Sequence, residues 1–245
     1  MAEIVRSEQR LEPFKAATQL HWRQLQALLP KGMDAKRFLT VAMLAVQKNP
    51  DLQECSPQSF ALAVLYAGSL GLEVGTEAYL VPYAKKVQCQ PGYQGLVKLA
   101  LQSGMVSDIW ADVVREGDTF KVARGTKREI VHTRKGKLGA AIVAAYACSK
   151  DARGNVSFTV LDADQIQKRR DVSKAKNGSA WTEWPEEMAM AKAIRAHMKL
   201  LPKSSEVNAA LLLHEAAELG KAVPTEAILP DIHIDTEGGD NGDAA

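Results

Sequence analysis

Residues 140–147 read AAIVAAYA, eight apolar and mostly small side chains in a row. A strand with one wet face alternates apolar and polar residues, and this run does not. It is also too short for a helix buried all round, so it belongs in the middle of a sheet covered on both faces. The surrounding sequence supplies that sheet. SDIWADVVREGDTFKVARG, residues 107–125, reads as two strands around a Gly117-Asp118 turn. Residues 129–133 read as another strand, and residues 157–161 follow an Arg153-Gly154-Asn155 turn as one more. A short pair at residues 79–82 and 86–90 precedes them. Strand after strand with short turns makes an antiparallel or mixed sheet, not a βαβ array.

Helical segments flank the sheet. Residues 13–29 have a helical pattern ended by Pro30 and Gly32. Asp34 can cap a second helix that stops before Asn49-Pro50, and Ser56-Pro57 opens a third with Phe60, Ala63, Val64 and Ala67 on one face, ending at Gly71. Residues 93–102 form a helix inside the strand-rich part. Beyond it, residues 162–170 and 185–201 are helical, Pro202 stops the latter, and Ser204 can cap a last helix ending at Gly220. The fold class is α+β: a helical N-terminal region, a central antiparallel or mixed sheet with packed helices, and C-terminal helices. Residues 1–12 read as a flexible arm, 13–220 as the core, and 221–245 as an acidic, disordered tail.

Charge is distributed unevenly. Of 245 residues, those at 221–245 carry six acidic side chains and one lysine, which leaves 30 Lys and Arg against 23 Asp and Glu in the rest. A basic body with an acidic tail points to a polyanion partner and to a tail that competes for the same surface; a purely solubilising tail is the plain alternative. Three scattered cysteines, Cys55, Cys89 and Cys148, make no disulfide framework. No apolar run reaches the ~20 residues of a membrane span, and the N-terminus lacks the apolar core of a signal peptide. The expected setting is cytoplasmic, with no membrane partner.

Enzyme signatures are missing from the sequence. PGYQG, residues 91–95, is tempting as a phosphate cradle, yet Gly92 and Gly95 match only part of a dinucleotide fingerprint, and no GxxxxGK[ST] occurs. ATP use is not expected. His21, His132, His197, His214 and His233 stand at no metal-ligand spacing, and no GxSxG elbow is present. Asp162 and Asp164 could hold Mg²⁺ but read better as a helix cap. Neither a catalytic residue nor a resident metal is assigned.

Basic residues gather in three places. The first is residues 115–137, with Arg115, Lys121, Arg124, Lys127 and Arg128, among which His132 reads as surface or phosphate-facing. The second is Lys168, Arg169, Arg170, Lys174 and Lys176 beside a polar loop. In the third, helical spacing puts Lys192, Arg195, Lys199 and Lys203 on one stripe opposite Met190, Ile194, His197 and Leu201. Trp181 and Tyr93 are candidate base-stacking residues, whereas Trp184 and Tyr79 read as core. With no helix-turn-helix or finger pattern, the expectation is sequence-independent binding of a single strand by phosphate neutralisation and stacking.

These blocks together are recognisable. Gly71-Leu72-Glu73, AYLVPY (78–83), VQCQPGYQGLVKLALQSG (87–104), VVREGDTF (113–120), His132, AYA (145–147) and WTEWPEEMAMAKAIRAHMKLLPKS (181–204) occur in fixed order. Over roughly residues 15–205 the chain resembles the phage RecT family of single-strand DNA annealing proteins. That resemblance implies a recombinase that needs no ATP, in which Mg²⁺ modulates annealing without being a catalytic metal. It implies a ring or helical filament of identical subunits that holds single-stranded DNA and the annealed duplex intermediate. A 5′→3′ exonuclease partner, a host single-strand binding protein and a fold distantly similar to that of Rad52 are implied as well. Tyr93 and Gly95 match the family's GY-x-G segment, Arg115 to Asp118 its REGD turn, and Arg195 and Lys199 basic positions of the late helix. The chain departs from the family pattern at Gln94, Val74 and Ala180. It departs also at Ala191 and Ala196, which remove two basic positions, while Lys192 adds one.

Overall fold

The computed structural model describes residues 2–173 and 176–218, so Lys174 and the acidic tail lie outside the described residues. The helical first quarter starts earlier than expected: α1 spans Ala2–Leu20 and contains Pro13. Instead of one segment to Leu29 there is a break at His21, after which α2 covers Trp22–Leu28. Just before the break, the Thr18 hydroxyl turns back onto the carbonyls of Phe14 and Lys15 at 3.0 and 2.9 Å. Asp34 caps α3 (Ala35–Lys48) by accepting from the Arg37 amide at 2.7 Å. Asn49 caps the short α4 (Pro50–Gln53). Ser56 caps α5 (Pro57–Ser69), with Pro57 in the first turn where its missing N–H costs nothing. The expected apolar face of α5 is buried, and so are Ala61, Leu65 and Tyr66 on its other sides. That helix is the spine on which α1 and α2 pack.

The chain then forms β1 (Ala78–Tyr83) and β2 (Lys86–Pro91), paired antiparallel through a two-residue turn. Both turn residues, Ala84 and Lys85, have positive φ, at 46° and 64°. This conformation matches the twist of a tight hairpin but is costly for residues with a Cβ. Helix α6 (Tyr93–Gln102) follows at once.

The main sheet contains β3 (Val106–Arg115), β6 (Ile142–Asp151) and β7 (Val156–Asp162), all antiparallel in the order β3-β6-β7. β6 is central, as its apolar run requires. Ala145 and Ala147 point into the large core, while Ala144, Tyr146 and Cys148 point into a second, smaller one. The expected hairpin around Gly117-Asp118 is not formed. β4 (Thr119–Ala123) leaves β3 and pairs with β5 (Glu129–Thr133) as a separate ribbon. Phe120 and Ile130 of that ribbon cover the second face of the main sheet.

Helices complete the first face. After α7 (Ala163–Asp171) and α8 (Ser179–Glu183), α9 (Pro185–Met198) lies on β3, β6 and β7, and α10 (Ser205–Glu218) packs on β2 and α6. Small side chains on both partners, Ala189 and Ala193 of α9 and Ala145 and Ala147 of β6, are buried in the one core and let α9 lie close to the sheet. Among the described residues, no helix is long and apolar enough to cross a membrane.

Candidate nucleic-acid interface

β7 is an outer strand, and no described strand pairs with its free side. Two neighbouring hollows have Thr159, Val160 and Leu200 in both of their linings, and together they make up a trough along β7. The larger, about 420 Å³, is lined by Arg169, Lys192, Arg195 and Lys199 from α7, α9 and the residue that ends α9. The smaller, about 280 Å³, is lined by Arg124 and Arg128 at the tip of the β4–β5 ribbon. All three basic segments of the sequence thus contribute to one surface feature. Its floor is partly apolar: Phe158 and Val160 lie along β7, and Leu200 and Val172 are 74% and 60% exposed at its walls.

The ribbon is fixed by Asp118. Its Oδ2 accepts from the Arg115 amide at 2.8 Å, and its Oδ1 from the amides of Lys135 and Gly136 at 2.8 and 2.7 Å. His132 Nε2 lies 3.1 Å from the same carboxylate and Nδ1 lies 3.2 Å from the Tyr146 hydroxyl. A carboxylate only accepts, so Nε2–H donates to Asp118. The amides of Arg115 and Gly136, then His132 and the Lys135 amide, hold the Asp118 carboxyl far below the usual carboxylate range. The REGD turn is therefore a latch that ties the start of β4 to the loop after β5.

Several expected contact residues are turned inward. His132 is not phosphate-facing: its side chain is only 6% exposed, and its ring stands edge-on to Phe120 and Tyr146. Arg115 is likewise engaged within the fold, paired with Glu186 of α9 and donating to the Ala140 carbonyl at 3.1 Å. The two tryptophans exchange their expected places. Trp181 is buried, with the Arg170 guanidinium 5.3 Å and the Lys192 ammonium 6.0 Å from its ring centroid, whereas Trp184 is 59% exposed. Tyr79, read as core, is also largely exposed. The helical stripe is corrected too: α9 is covered by sheet and helices, so Lys192 is buried and reaches the trough only as part of its wall. Ile194 and His197 do face the core, as the spacing indicated.

Lys121, Arg124, Lys127, Arg128, Lys168 and Lys176 are exposed. Arg169 donates to the Gln165 carbonyl at 3.0 Å, and Arg170 donates through Nε to the Lys176 carbonyl at 3.1 Å. Lys199 forms an ion pair with Glu215 of α10 at 2.5 Å. Asp162 is the cap of α7, accepting from the Gln165 amide at 2.8 Å, with the Gln165 side chain reciprocating as a capping box.

The PGYQG segment has a packing role in this fold. A Cβ on Gly95 would lie 2.3 Å from the Glu77 carbonyl oxygen, and the Gly92 amide donates to that same oxygen at 2.8 Å. The glycines let the start of α6 sit on the segment before β1. Tyr93 is half-buried against the main core.

Residues that sequence reasoning missed include Thr159, Leu200 and Glu215. Leu200 carried a signal, since an apolar side chain between Lys199 and a helix-stopping Pro202 has little core to enter. Thr159 acquires its place through His197, whose ring nitrogens lie 3.0 Å from the Thr159 hydroxyl and 2.9 Å from that of Ser149. Burial pushes the imidazole down to about 4, so it is neutral and pins α9 to β6 and β7. Reactive groups of other kinds do not gather here. Burial raises the Cys89 thiol to about 12 and that of Cys148 to about 11. Among the described residues no three His, Cys, Asp or Glu side chains form a metal cluster.

The sequence profile of the RecT family matches residues 36–227, most of the chain and every element of the trough. The chain belongs to the RecT family. It is 36% identical to Protein RecT of Escherichia coli strain K12 over 207 residues, 80% of this chain and 77% of that protein. It is 25% identical over 170 residues to the uncharacterized protein YqaK of Bacillus subtilis strain 168, covering 67% of this chain and 58% of that one. The family match reaches beyond the resemblance seen in the motifs, taking in α10 with Glu215. Membership in the RecT family supports a recombination function of the annealing type in general terms.

Proposed function

We propose that the trough along β7 binds single-stranded DNA without regard to sequence, and that the protein anneals complementary strands without ATP. The observation that carries this reading is the convergence of Arg124 and Arg128, Arg169, and Arg195 with Lys199 on one groove whose floor is partly apolar. Cations along the walls neutralise phosphates, and exposed Leu200 and Val172 offer apolar surface to bases. Neutralisation removes the repulsion between two strands, and base pairing itself supplies the test of sequence. On this reading subunits assemble into a ring or filament, so that successive troughs form a continuous track. A 5′→3′ exonuclease supplies the single strand, a host single-strand binding protein is the competitor on it, and Mg²⁺ modulates the rate without residing at the site.

The test mixes two complementary dye-labelled oligonucleotides with the protein, with and without ATP. Pairing faster than the spontaneous rate, and equal in both conditions, is expected. Binding with no acceleration would leave strand protection in place of annealing, and strand loss would reveal a nuclease. Replacing Arg195 and Lys199 together with alanine should weaken binding to every sequence and reduce the log–log salt slope by about 1.4, since each neutralised phosphate contributes roughly 0.7. An unchanged slope removes the larger hollow from the binding surface.

A further inference from the structure

We propose that the acidic segment 221–245 is a second ligand of the trough, an intramolecular polyanion that competes with the nucleic-acid strand. The inference rests on the reading of the trough given above, and four observations support it.

The first is position. Helix α10 ends at Glu218, and His214 and Glu215 near that end already line the larger hollow. The described chain therefore ends about one helical turn past a residue of the trough's wall. The second is charge: Glu226, Asp231, Asp235, Glu237, Asp240 and Asp243 stand against the single Lys221. The trough presents the opposite sign from α7, α9 and the ribbon tip. The third is a precedent inside the fold. Glu215 holds Lys199 at 2.5 Å, so a carboxylate from the same end of the chain already occupies one of the trough's cations. The fourth is composition. Ile228, Leu229, Ile232 and Ile234 are interspersed with the acids, and the trough offers the exposed side chains of Leu200 and Val172 to such residues. Reach is no obstacle, because an extended chain spans about 3.3 Å per residue and this segment could cross the whole trough.

A tethered segment acts at an effective concentration of order mM. Even a weak contact, with a dissociation constant near 0.3 mM, would then lower the apparent affinity for a strand about three- to fivefold. The attraction is one between opposite charges, so the effect should fade as the screening length drops from about 10 Å at 0.1 M salt to about 3 Å at 1 M. A strand that neutralises many cations at once displaces the segment, whereas short or poorly placed strands do not. The segment thereby sets a threshold strand length for engagement.

The experiment keeps the chain at full length. The variant carries Glu226→Gln, Asp231→Asn, Asp235→Asn, Glu237→Gln, Asp240→Asn and Asp243→Asn together, and a fluorescein-labelled oligothymidylate reports binding by anisotropy. The variant should bind the oligonucleotide about three- to fivefold more tightly than wild type at low salt, with the gap closing at high salt. A synthetic peptide of residues 221–245 added to the variant should restore weaker binding. Equal oligonucleotide affinity in the two proteins overturns the inference, as does a gap that persists at high salt. If neither protein binds the oligonucleotide, the DNA reading fails by itself. The labelled peptide then still tests the contact: binding to the variant that is lost on adding Arg195→Ala and Lys199→Ala supports it, and no binding overturns it.

Discussion

Acidification from about pH 7.5 to about pH 5 should remove about 2 kcal/mol of folding stability through His197 alone. The imidazole is 1% exposed and hemmed by the hydroxyls of Thr159 and Ser149, and burial lowers it from 6.5 to about 4. In the unfolded chain it takes up a proton below about pH 6.5, while in the folded chain it refuses one until about pH 4. Within that window the proton binds more strongly to the unfolded state, so stability falls as pH falls. Above it the group is neutral in both states and contributes no slope. At about 1.36 kcal/mol per unit, the full loss approaches about 3 kcal/mol once pH 4 is reached. The assay is a set of urea unfolding curves at several pH values for wild type and His197→Gln. The variant starts from a lower midpoint because the amide cannot reach both hydroxyls, but its stability should vary with pH by about 2 kcal/mol less over the same interval. If wild type and variant show the same slope, His197 is not held neutral between α9 and the sheet and the reasoning fails.

Other perturbations test single contacts. Gly95→Ala should destabilise the protein by roughly 1–3 kcal/mol in thermal or urea unfolding, because its Cβ meets the Glu77 carbonyl at 2.3 Å. In an unobstructed helix the same change would stabilise by about 1 kcal/mol, so the sign decides. Changing Ala84-Lys85 to Asn-Gly should stabilise by about 1 kcal/mol, measured by the same unfolding curves, since both positions have positive φ. Asp118→Asn should lower the melting temperature by a nearly constant amount between about pH 5 and pH 8, with the gap to wild type narrowing below about pH 4. The stabilisation from a depressed carboxyl is complete above its unfolded pKa and is lost as pH falls through the folded one.

Elements announced by short-range chemistry were legible in the sequence. Asp34, Ser56 and Asp162 cap the helices they were expected to cap, and the apolar run at 140–147 lies, from Ile142 on, in a central strand whose alternate side chains enter two cores. What required the folded molecule was partner choice. A turn such as Gly117-Asp118 reads as a hairpin, yet three amide donors on the Asp118 carboxylate steer β4 away from β3. The stripe on α9 misled for a related reason. Helical spacing assigns a side but not what lies beyond it, and Lys192 meets Trp181 where solvent was expected. Trp181 and Trp184 are three positions apart, and only packing reveals which ring is buried. The basic segments themselves were legible, but their meeting along β7 depends on sheet order.

An outer strand with unpaired amides and carbonyls invites a second copy to add its own strand. Here the inviting edge of β7 lies among cations from the ribbon, α7 and α9. Two such edges brought face to face would press like charges together, so the same surroundings keep identical subunits from fusing at this place. Self-association through β7 is therefore held off most firmly at low ionic strength. It becomes a hazard when salt screens the walls, and under the proposed function a strand that neutralises them must in turn cover the edge that it unmasks.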